Sequence, residues 1–510
     1  MNKKNKTPVA SAVLRLIHRA FTAASGPALL LLLSTSPSDA GSATWKLNPS
    51  SSDWNTAANW TPETVPDGES DTATFDVSDL TDISLSAFTV LDGIVFNSGA
   101  NAFTINTKSN IIEIFGDGII NNSGVTQKFV VPIFNIGFFN QAAAGSSTVF
   151  IMKGGFLGSA AVGFADHSSA GSGTFIMLGA TTGETQGGNV VFTNSSTAAD
   201  GTFVARGASV EGAFGGFILF EDSSDAGNAI IVNNDTLVRG GGGCTAFLDN
   251  SSGGKARIKV LGQGELDITF HDSPGVTTGS IEGSGLVILG ANTLSVGKND
   301  LDTTFSGVIQ DGQTSETGGA LTKIGKGGLT LTNANTYTGG TTIDGGTLVV
   351  NNSNGSGTGS GAVQLNAGSL EGRGIISGAV FVGNGSGLGA ILSPGRAGSR
   401  IHTLTVQSAL TFNSNATYRF ELNSNSGRAD EVVAKGVTIN SGALFSFSDR
   451  GTGTLFPGTV FVVIDNTAAT SIAGTFTNLT DGSTFSAGAN SFQVSYHGGT
   501  GNDLTLTVVP

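Results

Sequence analysis

The sequence predicts an all-β solenoid, on three observations. Short apolar runs alternate with polar residues between clusters of Gly, Asn and Ser, the pattern of strand, turn, strand. A phenylalanine signature recurs at Phe138, Phe164, Phe192, Phe220, Phe247 and Phe270, with spacings of 26, 28, 28, 27 and 23 residues, the period of a β-helix coil. Gly or β-branched Thr interrupts every turn's worth of residues in stretches such as Leu321 to Asn352, which leaves no room for a helix. The 510 residues would otherwise suggest several domains, but a solenoid grows by adding coils. Gly is abundant, 77 residues without a period of three, and charged residues make up only 12%, so Thr, Ser and Asn must take much of the solvent-facing role.

Residues 1–40 read as a secretory leader. Lys3, Lys4, Lys6, Arg15 and Arg19 form a basic n-region, Ala28 to Leu33 an apolar h-region, and Ser38-Asp39-Ala40 a small-x-small cleavage site. The apolar run is far shorter than the roughly 20 residues of a membrane span. Cleavage near Ala40 is therefore expected, leaving a mature chain with no membrane-spanning segment. That chain carries 19 basic and 37 acidic residues, a net of −18. Such a surface repels nucleic acid and anionic lipid, so neither is an expected partner. Cys244 is the single cysteine, which excludes an intramolecular disulfide. It reads as a small buried residue, with no His or basic group near it in sequence to make it a nucleophile.

Residues 41–125 form an N-terminal capping β section that holds all three tryptophans, Trp45, Trp54 and Trp60. Clustered tryptophans could serve as a carbohydrate-stacking platform, but the first coil of a solenoid must close its open end, and the cap is the preferred reading. Residues 126–320 are β-helix coils of about 26 residues. In their signature the Phe should stack on its neighbours inside the core. The Asn or Asp two places on (Asn140, Asp166, Asn194, Asp222, Asp249) should occupy a turn, tolerate the left-handed region and bond its own backbone. Residues 321–352 form a denser repeat. In 353–510, Ser353 to Gly361 looks like a linker by composition, but strands resume at once, which argues for a wide turn within a coil. From Ile401 onward the alternation sharpens, as in LTVQSALTF and ATYRFEL.

Motifs for chemistry are few. No histidine pair among His18, His167, His271, His402 and His497 has metal-ligand spacing. There is no Gly-x-Ser-x-Gly elbow, P-loop, dinucleotide fingerprint or His-Glu-x-x-His. Gly498 to Leu504 is similar to half of a calcium nonapeptide, but it occurs once, with its apolar residue one place early. The nearest acidic constellation for glycosidic chemistry is His271-Asp272 with Glu282, roughly a coil apart. No catalytic, cofactor-binding or metal residue is assigned, and no cofactor is expected.

The strings Leu321-Thr322-Lys323, Gly328-Leu329-Thr330-Leu331, Asn335-Thr336-Tyr337-Thr338-Gly339-Gly340-Thr341-Thr342 and Gly345-Gly346-Thr347-Leu348 resemble the autotransporter-associated β-strand repeat of bacterial passenger domains. The resemblance implies a right-handed parallel β-helix with an N-terminal cap and a C-terminal passenger-like β section. It also implies secretion or display on the extracellular face of the cell envelope. The sequence departs from that pattern at its end. A barrel needs at least eight strands of roughly 10 residues, and the chain stops at Pro510, so it is not expected to supply its own barrel. The expected function is that of a non-enzymatic, adhesin-like or structural envelope protein whose polar faces bind polysaccharide or other cell-surface components. A polysaccharide-degrading β-helix enzyme is the alternative. An exposed final coil would allow end-to-end self-association.

Overall fold

The computed structural model describes residues 41–155, 160–236, 238, 241–312, 316–395 and 401–510. The expected leader lies outside the described residues. The protein is an all-β parallel solenoid, and among the described residues the only helical element is one 3-10 turn at Ala57–Asn59. Two compact units divide at Asp272 and Ser273.

In the first unit two parallel sheets take alternate strands of the chain. One runs through Ala43–Trp45, Thr72–Phe75, Thr89–Phe96, Ile112–Asn121, Asn135–Phe138, Ala161–Phe164, Asn189–Phe192, Phe217–Phe220, Cys244–Phe247 and Glu265–Asp267. The other includes Gln127–Val131, Thr148–Met152, Thr174–Met177, Thr202–Ala205, Ile230–Asn233 and Gly253–Val260. The register sets each signature phenylalanine opposite the next. Phe138, Phe164, Phe192, Phe220 and Phe247 stack with centroids 4.9, 4.8, 4.8 and 4.8 Å apart and planes within 10°. That spacing is the separation of hydrogen-bonded strands, so backbone ladder and ring stack reinforce each other.

A second column, unanticipated from the sequence, rises in the other sheet: Phe129, Phe150, Phe175 and Phe203, each 4.8 Å from the next. The two columns meet edge to face, Phe164 on Phe175 at 5.7 Å and Phe192 on Phe203 at 5.6 Å. Offset stacks along each column and T-shaped contacts between them are the two arrangements that the ring quadrupole favours.

Phe270 corrects the expected stack. Strand register pairs Cys244 with Glu265 and Ala246 with Asp267, so the position above Phe247 belongs to Ile268, which is fully buried. Phe270 lies two residues beyond and covers a separate apolar cluster containing Val191, Phe217, Leu219, Cys244 and Ala246. In these strands the residues flanking the inward phenylalanines are themselves buried, so the sheet needs covering on its outer side as well.

The tryptophans form a buried cluster rather than an exposed platform. All three are buried, with Trp60 at 5.0 Å from both Trp45 and Trp54 and at 5.6 Å from Phe75. Their indole N–H groups donate to the carbonyls of Leu80, Pro66 and Trp54, which satisfies each buried donor. The sheet's first edge is the two-residue strand Trp60–Thr61, antiparallel to Ala43–Trp45 and followed by Pro62, which has no N–H to offer.

The second unit is itself built of parallel stacks. Thr293–Val296, Ala320–Lys323, Thr341–Ile343, Val363–Leu365, Val380–Val382, Leu410–Phe412 and Val437–Ile439 form one. Thr303–Phe305, Gly328–Leu331, Thr347–Val350, Gly368–Gly372, Ala390–Pro394, Ala416–Asn423 and Leu444–Asp449 form another. Residues 353–361 are a turn within a coil, as expected: Ser356 is buried, Gly357 N donates to Ile375 O, and the strand Val363–Leu365 follows directly. The chain ends in antiparallel order, Val460–Asn466 against Asp503–Val509, then Asn490–Gly498 and Thr484–Ala487. The calcium-like string is the turn of that hairpin. Asp503 accepts from Asn466 N and Thr500 N, and Asn502 donates to Asn466 O, so both side chains are spent on closing the hairpin.

Candidate functional site

The turn after each signature phenylalanine presents the most regular polar surface of the first unit. Asn140, Asp166, Asn194, Asp222 and Asp249 all adopt positive φ, between 50° and 57°, as their side chains allow. Their hydrogen bonding differs from the expectation. In four of the five the side-chain oxygen accepts from the backbone N–H of the equivalent residue in the coil before, and Asn140 instead donates its Nδ2 to Phe115 O. Asp166 thus takes Asn140 N at 2.9 Å, Asn194 takes Asp166 N at 3.1 Å, Asp222 takes Asn194 N at 2.8 Å and Asp249 takes Asp222 N at 3.1 Å. The column is an inter-coil ladder. Backbone bonds run beside it, from His167 N to Asn140 O, Ser195 N to Asp166 O, Ser223 N to Asn194 O and Asn250 N to Asp222 O.

The ladder fixes the backbone and leaves the next residue of each coil free to face water. Gln141, His167, Ser195, Ser223 and Asn250 are all exposed. Asn140, Gln141, Asp166, His167, Asn194 and Ser195 line a groove of about 520 Å³. This is a row of donors and acceptors one strand spacing apart, held rigid from beneath. It can hydrogen-bond a hydroxyl-rich polymer. Its Asp carboxylates already hold main-chain N–H groups, which suits them to structure rather than to proton transfer.

In the second unit a smaller groove of about 310 Å³ is lined by Asp302, Lys326, Thr347 and Glu371 among others, with Thr304, Thr330, Val349 and Glu371 in one cross-strand row. Beneath this region lies Lys323, the third residue of the Leu-Thr-Lys string. It points inward, 1% exposed, in a row between Val296 and Ile343. Its ammonium donates to the carbonyls of Ile324 and Gly345. Burial pulls its pKa down to about 8, against the pull of Asp300 and Asp302.

The members of the sequence-predicted acidic constellation have structural roles or positions of their own. His271 sets its two ring nitrogens against the carbonyls of Asp272, at 2.6 Å, and Ser251, at 2.7 Å. Asp272 accepts from Asn250 Nδ2. Glu282 lies in strand Gly275–Gly283 of the second unit. Two carboxyls that no sequence pattern marks are raised furthest. Burial, with the neighbouring Asp267 charge, raises Glu265 to about 7. Burial also raises Asp430 to about 7, although the N–H groups of His402 and Glu421 donate to it and Arg450 lies nearby. Cys244 is buried and its thiol pKa is pushed well up by desolvation and by Glu265 and Asp267, the opposite of an activated thiolate. Among the described residues no group of three or more His, Cys, Asp or Glu could hold a metal ion.

Fold and turn face together define a parallel β-solenoid with a repeated polar surface. A model of the passenger-associated-transport-repeat family matches residues 321–350, inside the stretch whose motifs carry the sequence resemblance. None of the curated proteins matches the chain. Among solved structures, the Haemophilus influenzae Hap adhesin is similar at a TM-score of 0.26 and 11% identity, over 86% of this chain and 59% of that one. This chain therefore spans about three-fifths of the adhesin's length.

Proposed function

We propose that this protein is a secreted or surface-displayed, non-enzymatic solenoid that binds polysaccharide through the turn face of its first unit. The observation that carries the proposal is the Asn/Asp ladder. It spends its own side chains on rigidity and holds a second row of polar side chains outward at a constant spacing. Single contacts of this kind are weak, but a polymer engages several at once, and they add through effective concentration. The passenger-associated-transport-repeat match at 321–350 supports an extracellular address. A leader cleaved near Ala40 is the proposed route into the secretory pathway.

The test is to incubate purified residues 41–510 with insoluble plant, algal and bacterial polysaccharides, with and without calcium. Retained protein and released reducing ends are then measured together. Retention without release is the expected result. Release of reducing ends from any polymer would replace this reading with that of a polysaccharide-degrading enzyme, and absence of both would remove polysaccharide as the ligand.

A further inference from the structure

The string Asn-Gly-Ser-Gly occurs twice, at Asn354 to Gly357 and at Asn384 to Gly387. Asparagine followed by glycine is the pair most open to internal ring closure, because no Cβ shields the glycine nitrogen and its backbone reaches unusual angles. The two copies are chemically identical, so any difference in reactivity must come from the fold. Both asparagines are exposed, and solvent access therefore does not distinguish them. Hydrogen bonding does.

At the second copy both reacting partners are held. Gly385 N, the nucleophile, donates to Asn415 Oδ1 at 2.9 Å. The Asn384 side-chain oxygen accepts from Ser386 N at 3.0 Å and from Asn415 Nδ2 at 3.3 Å. Asn415 is itself fixed by bonds to the carbonyls of Ser386 and Leu388. Among the described residues no donor or acceptor meets the Asn354 side chain at the first copy, and none accepts from Gly355 N–H. Only carbonyls are used there: Asn352 Nδ2 donates to Asn354 O at 2.9 Å and to Gly355 O at 3.3 Å.

We infer that Asn354 is a site of spontaneous deamidation in the folded protein and that the same string at Asn384 is protected by the Asn415 clamp. In the reaction the deprotonated Gly355 nitrogen attacks Asn354 Cγ, forming a new C–N bond and expelling the amide nitrogen as ammonia. Water then opens the cyclic imide at either carbonyl, giving aspartate or isoaspartate at position 354. Either product adds one negative charge to the turn that follows the matched repeat. Isoaspartate also inserts a methylene into the main chain, which displaces the carbonyls that hold Asn352. The product is thus a chemical record of the protein's age at one address, and it is independent of any ligand.

The experiment is to age the purified protein, residues 41–510, in mildly alkaline buffer and map tryptic peptides by mass spectrometry with fragment-ion localisation. Cleavage after Lys326, Arg373 and Arg396 separates the two strings into different peptides. The folded protein should convert Asn354 at least about tenfold faster than Asn384, equivalent to about 1.4 kcal/mol. In guanidinium both should convert at similar rates. N415A should accelerate conversion at Asn384 and leave Asn354 unchanged. Equal rates in the folded protein, no conversion at Asn354, or a preference that survives unfolding would each overturn the inference, whether or not N415A folds.

Discussion

Replacing Phe192 by Ala tests whether the coils are held in register by stacked rings. Phe192 is fully buried and touches three partners: Phe164 and Phe220 at 4.8 Å in its own column, and Phe203 edge-on at 5.6 Å. Deleting such a ring costs about 3–5 kcal/mol in transfer and cavity terms. Phe270, half-buried and outside the column, should cost only about 1–2 kcal/mol. Stability in a solenoid is a sum of local and nearest-neighbour terms, so a single melting midpoint is a poor reporter. Native-state hydrogen exchange is the better assay. Amides of Ala161–Phe164, Asn189–Phe192 and Phe217–Phe220 should exchange about a thousandfold faster in Phe192→Ala, the equivalent of about 4 kcal/mol. The terminal hairpin, Asn490–Gly498 with Asp503–Val509, should be unchanged. Equal damage from Phe270→Ala, or exchange accelerated uniformly along the chain, would refute the column as the source of register.

Stability should pass through a minimum near neutral to mildly alkaline pH. Glu265 and Asp430 are raised in the folded state to about 7, so their contribution is complete below the ordinary carboxylate range and is lost as pH rises through 7. Lys323 is lowered to about 8, so its penalty persists below that value and is relieved as pH climbs toward the ordinary lysine range. Thermal midpoints that rise steadily from acid to neutral pH would contradict this. Asp222→Ala removes the acceptor for Asn194 N and should cost about 1–2 kcal/mol. Asp222→Asn keeps the oxygen and should restore most of the loss, read from exchange at the Asn194 amide. Lys323→Ala strips a donor from the carbonyls of Ile324 and Gly345 and opens a cavity, costing about 2–4 kcal/mol. Lys323→Met, which fills the row, should cost less and should abolish the alkaline rise. Self-association at the chain ends should be weak, because the N-terminal edge is two residues long and the C-terminal edge, Thr484–Ala487, is four. Scattering mass that grows with concentration would show otherwise.

Much of the fold was legible because the chain repeats its own residues. Five of the six signature phenylalanines stack as their spacing implied, and the three tryptophans are buried rather than presented to solvent. The sixth misled because a motif marks residue types, whereas position is set by strand register, and register placed Ile268 rather than Phe270 above Phe247. The second column escaped because Phe150, Phe175 and Phe203 follow their signature phenylalanines by 12, 11 and 11 residues without a constant flanking string; that offset was the available signal. The ladder residues do lie in turns, but a single coil cannot reveal that their side chains reach the coil before. Lys323 stood in a recognised motif, yet its charge argued for solvent. The carbonyls of Ile324 and Gly345, with the nearby charges of Asp300 and Asp302, explain how a lysine can occupy a core row. Glu265 and Asp430 are unremarkable in sequence, because burial and neighbouring charge, not local pattern, shift them.

The most direct test of polysaccharide binding by the turn face is co-sedimentation of the protein with the polymer that retains it, comparing wild type with Gln141→Ala, His167→Ala and Ser195→Ala combined. These side chains are exposed and lie beside the ladder rather than in it, so the fold should survive, as circular dichroism would show. Retention should fall by at least about tenfold, the equivalent of about 1.4 kcal/mol over three contacts. Unchanged retention by a folded triple variant would contradict the assignment and place the binding surface elsewhere on the solenoid.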